Sequence, residues 1–443
     1  MFFCDVFQIF FVFLHIESIF EMDNTDKQYT LKAPERLCAK IDLPSSKSIS
    51  NRALIISALA GGGGIPDNLS DCDDTEVVVA ALKDMPDVID IKAAGTAMRF
   101  MTAYLSTLEG GDHVITGTER MKHRPIKVLV DALRFLGADI EYVENEGFPP
   151  LRIRGRKLDG GELDIPGDVS SQYISALLMV GPLMKNGLTL NLQGDVISRP
   201  YIDLTLWMMN EWGAKVEWTD RRTIVVEPKP YVPRNYMIEN DWSSASYWYE
   251  MMALSQGIDD EIVLTGLMDG SKQGDSSLRY VFSLLGVKTV FSKQGLMADV
   301  TLKRAKTVVS HLEYDFINAP DLAQTFVACC CAMNIKFRFK GLQTLKIKET
   351  DRIEALKTEM RKLGYVLHDV DDCELYWDGE RCEPAEDRSI DTYEDHRMAL
   401  AFAPLALRLG EMRINDPHVV SKSYPHFWND LRATGWTITS VPC

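Results

Sequence analysis

Five times along this chain an amphipathic helix ends at a glycine and gives way to a short alternating strand. That recurrence limits the fold more than any other feature. The helices read over 129–136, 204–212, 278–285, 353–363 and 427–434. The glycines are Gly137, Gly213, Gly286, Gly364 and Gly435, spaced 71 to 78 residues apart, and each strand follows at once. Each glycine stands where a helix closes on a left-handed residue, a conformation that costs glycine little. The residues after it alternate apolar and polar, as in a strand with one face exposed. A period near 75 is long for a simple solenoid. It predicts a repeated α+β unit with helices inside and sheets outside, and a helix over 76–82 reads as a first, divergent copy.

A chain of 443 residues is expected to form two or three domains. The stretch 228–233, with three prolines, is stiff and cannot be helical. It predicts a linker over 228–239 between a lobe of 45–227 and a lobe of 240–443, each with about three units. The alternative is two independent domains that never close on each other.

Asp and Glu outnumber Lys and Arg by 64 to 48, for a net charge of −16. That excludes a general nucleic-acid-binding surface, which rests on basic excess. A cationic cleft for a small anion can still work locally against the global charge. The nine cysteines include Cys329-Cys330-Cys331 in an apolar run and no C-x-x-C pair. They read as core residues of a protein from a reducing compartment, the cytoplasm. The apolar stretch 2–20 has no Lys or Arg and carries Asp5 and Glu17, which suits neither a signal peptide nor a membrane span. Residues 1–22 are expected to be a non-native or disordered extension.

Within this acidic chain, cations recur inside small-residue motifs, a pairing that suits the capture of phosphate and carboxylate. Ser45-Ser46-Lys47-Ser48-Ile49-Ser50-Asn51-Arg52 leads into an apolar helix over 53–60, capped by Ser46 or Ser48. Lys and Arg at a helix N-terminus oppose the macrodipole, so something negative should compensate them. The turn Ala94-Gly95-Thr96-Ala97-Met98-Arg99 reads either as an anion-binding turn or as a tight strand–helix junction. His123-Arg124-Pro125 adds a further cation. Asp168 to Tyr173, with Ser170, Ser171 and Gln172, reads as a plain cap or as a contact to a polyol or phosphate ester. Ser198-Arg199-Pro200-Tyr201 is open in the same way.

Lys348-Glu349-Thr350-Asp351-Arg352 opens a helix over 353–363, with Thr350 as its cap and Asp351 in its first turn. As chemistry, Lys348 and Arg352 would hold a phosphate while Glu349 moves a proton. In Asp395-His396-Arg397, the histidine reads either as a ligand or base or as a structural residue beside Asp395. No metal-ligand spacing, G-x-G-x-x-G or Walker A sequence occurs, so neither a metal nor a nucleotide cofactor is expected.

Taken together, S-K-S-x-S-N-R, A-G-T-A-M-R, R-M-x-x-R-P-I, S-S-Q, S-x-x-Y, Q-G-D, P-D, K-E-T-D-R, D-H-R-M-A and K-S-Y-P resemble the 3-phosphoshikimate 1-carboxyvinyltransferase (EPSP synthase) family over about residues 30–440. The resemblance implies an α/β fold of α+β repeats: a two-lobed inside-out α/β barrel with three units per lobe, residues 23–44 joining 240–443. It implies transfer of the enolpyruvyl group of phosphoenolpyruvate to the 5-hydroxyl of shikimate 3-phosphate by addition and elimination, in a monomer that needs no cofactor or metal. It implies that Lys47, Ser48, Arg52, Ser170, Ser171, Gln172, Ser198, Tyr201 and Lys348 contact shikimate 3-phosphate. Gly95, Arg124, Arg352, Arg397 and Lys422 would contact phosphoenolpyruvate, as would Lys47 and Gln172. Asp321 would accept the 5-hydroxyl proton and Glu349 would deliver a proton to the vinyl carbon, with Lys47 beside them as a catalytic cation. Flanking cations should keep Glu349 ionised unless a closed, dry site lifts its pKa.

Four positions depart from the family pattern: Ala93 and Thr344 where Asn is usual, Phe100 where Pro is usual, and Glu394 where Asn is usual. The sister transferase acting on UDP-N-acetylglucosamine uses a loop Cys near 120–125, where this chain has none. A silent binding protein of the same shape is the rival from another class.

Overall fold

The computed structural model describes residues 26–62, 66–292 and 297–441. The stretch 1–22 lies outside the described residues. Four four-stranded sheets share one strand order. In three the chain runs strand, helix, parallel strand, helix, then an antiparallel pair; in the fourth, residues 43–260 intervene between the two parallel strands. One comprises Val88–Asp90, Asp112–Thr116, Asp139–Tyr142 and Leu151–Arg154. The second comprises Gly161–Pro166, Leu188–Gln193, Val216–Trp218 and Thr223–Val226. The same order recurs over His311–Asp315, Lys336–Lys340, His368–Val370 and Glu374–Trp377. In the fourth sheet, Cys38–Asp42 supplies the first strand beside Glu261–Leu267, Val287–Phe291 and Ala298–Arg304.

The two remaining sheets differ. One is antiparallel, with Gln28–Lys32 between Met412–Asn415 and Thr437–Val441. The other is the short parallel pair Pro66–Asp67 and Tyr236–Met237. One expectation is corrected here: no sheet among the described residues closes into a barrel. The shared strand order appears in four sheets.

The physical basis of the repeat is as the sequence suggests. All five repeat glycines have φ between +79° and +104°. After the helix Lys127–Phe135, the Ala138 amide reaches back 2.9 Å to Leu133 O, closing the helix as a left-handed C-terminal residue allows. The helices Gly95–Ser106, Ser171–Val180, Trp242–Leu254 and Ala323–Ala332 are buried almost all round, which an internal helix requires. Strands such as Leu188–Gln193 alternate buried and half-exposed residues.

The apolar core falls into two clusters. One draws on residues from Ile49 to Ile238. The other joins residues from Tyr29 to Leu43 with those from Trp242 to Trp436. The chain passes between them at 44–46 and 239–241. There Ser46 N donates to Glu239 O (2.9 Å) and Asp241 N to Pro44 O (2.8 Å), so the crossings brace each other. The proline-rich stretch does not itself span the gap: Tyr231, Tyr236 and Ile238 pack in the first core, and the Tyr231 hydroxyl donates to Met179 O at 2.7 Å. No helix among the described residues is long and apolar enough to cross a membrane.

Cys329, Cys330 and Cys331 are fully buried core residues. Facing this region on the helix Trp242–Leu254 is Glu250, fully buried, with no hydrogen-bond partner for either carboxylate oxygen among the described residues. Burial pushes its pKa far above the ordinary carboxylate value. The sign of the linkage follows: the folded state keeps a proton that the unfolded chain releases, so stability falls as pH rises above the unfolded pKa. Glu250→Met removes the polar group at similar volume and should stabilise the fold by about 1–3 kcal/mol. Denaturant unfolding of both proteins at pH 5 and pH 8 checks this; the gain should be larger at pH 8.

Candidate active site

Nearly every candidate residue lies in the first turn of a helix or just before it. The helix Lys47–Leu59 begins with Lys47 and Ser48, six residues earlier than the sequence suggests, and Ser46 precedes it without a side-chain cap. Gly95 opens Gly95–Ser106, Ser170 caps Ser171–Val180, and Ser198 precedes Arg199–Glu211. From the second core come Asp321 in the short turn Pro320–Leu322, Arg352 opening Arg352–Lys362, and His396 and Arg397 opening His396–Phe402. Asp351, not Thr350, caps the helix at Arg352, its carboxylate accepting from Glu354 N at 3.2 Å. Helix N-termini carry partial positive charge and free N–H groups, so their gathering with cations favours an anion.

At the centre is Arg352, 1% exposed and bound by three carboxylates. Its Nε lies 2.6 Å from Asp395 Oδ2. One terminal nitrogen lies 2.8 Å from Asp321 Oδ1, and the other 2.8 Å from Glu349 Oε2. Asp321 also meets Lys348 Nζ at 3.3 Å and Arg397 at 3.3 Å. Glu349 also meets Lys422 Nζ at 3.2 Å. Burial pushes the Asp321 carboxyl up, but Lys348, Arg397 and Arg352 outweigh it and hold the carboxyl far below the usual range.

Glu349 behaves likewise. Burial is opposed and overcome by Lys422, Arg352 and Arg124. Covering Glu349 therefore does not lift its pKa, contrary to the expectation from a dry site. His396 is held neutral by burial and by the nearby Lys47 and Arg397, and neither ring nitrogen has a hydrogen-bond partner among the described residues.

The first core supplies the facing wall. Lys47 Nζ sits 3.3 Å from Asp74 Oδ2. Burial works against its charge, but Asp74, Cys72 and Glu349 raise its pKa above the ordinary lysine value. Arg124 lines one cleft with Glu349, Lys422, Arg120, Glu394 and Ser421. A Cβ on Gly95 would stand 2.6 Å from an Arg124 terminal nitrogen, so glycine there leaves room for that guanidinium. Gln172 Nε2 donates to Thr96 Oγ1 at 3.0 Å, tying the helix of Ser170 and Ser171 to that of Gly95.

Ser48 and Tyr201 line a second, smaller cavity with Asp241, Ser243 and Asp275. The Tyr201 hydroxyl donates to Asp275 Oδ1 at 3.1 Å. Burial pushes Asp275 up to about 6, against Arg397 and Ser243. Arg52 is 2% exposed and bonded to Thr205 Oγ1, Ser175 Oγ and the carbonyls of Ser48 and Tyr201. It has no carboxylate partner among the described residues, and burial, opposed by Tyr201, lowers its pKa to about 10.

Direct contacts join the two cores around the cleft. Arg120 meets Glu394 at 2.6 Å, Ser421 donates to Asp73 at 2.6 Å, and His426 lies 2.8 Å from Asp71. The departure at Glu394 thus has a partner at the mouth of the cleft. Thr344, another departure, has a buried hydroxyl without a hydrogen-bond partner among the described residues. Sequence reasoning passed over Asp395, Asp74 and Asp275 as site residues. Asp395 and Asp275 stood inside quoted motifs, which was the available signal. Asp74 gave none beyond an acidic run.

Such a cleft suits small ligands with several negative charges, and its paired carboxylates suit proton transfer. The sequence profile of the family described as EPSP synthase (3-phosphoshikimate 1-carboxyvinyltransferase) matches residues 31–88 and 84–431. The 3-phosphoshikimate 1-carboxyvinyltransferase of Bacteroides fragilis (strain ATCC 25285) is 59% identical over 411 residues, covering 93% of this chain and 98% of that one. The Shewanella halifaxensis protein of the same name is 36% identical over 434 residues, covering 92% and 99%. Among solved structures, EPSP synthase from Acinetobacter baumannii superposes with a TM-score of 0.75 at 21% identity, covering 94% of this chain and all of that one. The enolpyruvyl transferase NikO from Streptomyces tendae gives 0.70 at 16% identity, with 94% and 100% covered. The chain belongs to the EPSP synthase family.

Proposed function

We infer that the protein is an enolpyruvyl transferase of the shikimate pathway. It joins phosphoenolpyruvate to the 5-hydroxyl of shikimate 3-phosphate and releases phosphate. The observation that carries this reading is the pair Asp321 and Glu349, both hung on Arg352, one among Lys348 and Arg397 and the other on Lys422. In the addition step the 5-hydroxyl oxygen bonds to C2 of phosphoenolpyruvate. Asp321, held ionised, takes the hydroxyl proton, and Glu349 gives a proton to C3. In the elimination step Glu349, now ionised, takes a proton back from C3 as the C2–O bond to phosphate breaks, and the proton held by Asp321 leaves with the phosphate or to solvent.

Lys47, Ser48, Arg52, Ser170, Ser171, Gln172, Ser198, Tyr201 and Lys348 form the shikimate 3-phosphate side. Gly95, Arg124, Arg397 and Lys422 form the phosphoenolpyruvate side, which Lys47 and Gln172 also reach. Arg352 shares its donors between the carboxylates and the incoming anion. The cores act as lobes of 45–227 and 23–44 plus 240–443, built of inside-out α/β units with the chain crossing between them at 44–46 and 239–241, and the enzyme works as a cytoplasmic monomer without metal or organic cofactor.

Phosphate release tests the assignment. It should require both phosphoenolpyruvate and shikimate 3-phosphate; release with UDP-N-acetylglucosamine in place of the shikimate ester would overturn it. Arg124 adds a sharper check. Arg124→Ala should weaken phosphoenolpyruvate binding by about 2–5 kcal/mol, the cost of truncating one member of a buried charge pair. Titration calorimetry with the 5-deoxy analogue of shikimate 3-phosphate present, which cannot react, measures this, and an unchanged affinity removes Arg124 from the site.

A further inference from the structure

The motif Gln273-Gly274-Asp275 has no role in the reaction as described, yet it lies where the two cores meet. Each of its residues makes a different contact. Gln273, 6% exposed, accepts from Trp242 N (3.2 Å) and donates to Asn240 O (2.8 Å), gripping the chain where it crosses between cores. Gly274 faces the first core so closely that a Cβ would fall 2.6 Å from Pro200 Cβ. Asp275, 2% exposed, accepts from the Tyr201 hydroxyl with one oxygen and from Ser243 Oγ with the other.

The neighbouring residue Ser198 is held in the left-handed region, φ +53°, and its amide donates across to Ile317 O at 2.8 Å. Strained backbone of this kind persists only where its surroundings impose it. Tyr201 is thus gripped from both sides. Its carbonyl accepts from Arg52 (3.3 Å) and Thr205 (2.8 Å) in the first core, and its hydroxyl is held by the second.

We propose that Gln273-Gly274-Asp275 is a docking seat for the Ser198–Tyr201 corner, with Asp275 the residue that positions Tyr201 against shikimate 3-phosphate. The seat is made only when the cores are together. It therefore favours the closed arrangement and, through Tyr201, the ester that needs it. Asp275 acts through Tyr201 and touches neither reacting bond. The proposal rests on shikimate 3-phosphate being the substrate.

The test compares wild type with Asp275→Ala, Asp275→Asn and Gly274→Ala, using steady-state kinetics, melting of the free proteins, and small-angle scattering with and without shikimate 3-phosphate. Asp275→Ala should raise KM for shikimate 3-phosphate about 10-fold or more, as the loss of a hydrogen bond to a charged group does. KM for phosphoenolpyruvate should move far less. Asp275→Asn keeps an acceptor and should recover part of the loss. Gly274→Ala keeps every polar group but displaces Pro200, and should give the same selective rise. In both alanine variants the contraction induced by shikimate 3-phosphate should need more ligand. Equal rises in both KM values with a lowered melting temperature, or unchanged KM values in both alanine variants, overturn the seat. A wild type that releases no phosphate from the substrate pair overturns the functional reading and the seat with it.

Discussion

Replacing Arg352 by alanine is expected to cost about 3–5 kcal/mol of stability, the range found when one partner of a buried ion pair is removed. The side chain is 1% exposed and serves Asp321, Glu349 and Asp395 together, so its loss takes one cation from each of three covered carboxylates. Against a total stability of about 5–15 kcal/mol, that is enough to lower expression as well as activity.

The pH dependence identifies the cause. In the wild type, Asp321 and Glu349 have depressed pKa values. Their stabilising contribution is complete above the unfolded value of about 4 and is lost only as pH falls through the lower folded value. Without Arg352 both groups keep other cations, Lys348 and Arg397 on Asp321 and Lys422 on Glu349, but each loses one that holds it down, so both pKa values rise and the variant recovers part of its deficit as pH falls from 7.5 to 5 while the wild type does not. Urea unfolding at the two pH values should show the gap narrowing at pH 5. An equal gap at both would mean that Arg352 acts by packing alone. Arg352→Lys should rescue little, because one ammonium cannot reproduce a fork shared among three acceptors.

The parts of the molecule that were legible in the sequence are those where one residue type answers a local demand. Gly137 and its four counterparts are readable because a left-handed helix end admits few other residues. Lys47, Arg124, Lys348 and Arg397 are readable because cations among Ser, Gly and Thr at helix starts need a compensating anion.

What stayed hidden depends on distant pairing. Arg52 reads as an anion ligand in sequence, and that its donors also reach Ser175 and Thr205, more than a hundred residues away, was not legible there. Asp275 and Tyr201 are 74 positions apart and meet only across the cores. The prolines at 228–233 suggest a tether, yet Tyr231 and Tyr236 anchor that stretch to the first core, and aromatic burial outweighs backbone stiffness in placing it. Sheet closure was not legible either. Each strand shows which face is buried, but nothing local says whether the edges of a sheet meet.

Replacing Glu349 by glutamine should lower kcat by about 10²–10⁴-fold, the range for a lost general acid. The structure adds a condition. In the free protein Glu349 is the wrong acid for its task, because Lys422, Arg352 and Arg124 outweigh burial and keep it ionised. Arg124 and Lys422 line the same cleft as Glu349. A phosphate and a carboxylate seated on those cations cancel much of their field while leaving Glu349 covered, so the balance swings toward burial and the pKa rises. Substrate would then arm its own proton donor, and the binding of phosphoenolpyruvate should be accompanied by proton uptake. Calorimetric titrations at pH 7 in buffers of different ionisation enthalpy, with the unreactive 5-deoxy analogue of shikimate 3-phosphate present, measure that uptake. The proton taken up by the ligand itself is common to both proteins, so the difference between wild type and Glu349→Gln isolates the side chain. Wild type should take up more. If the two proteins take up the same number of protons, or if the glutamine variant turns over at the wild-type rate, the proton reaches C3 from another group.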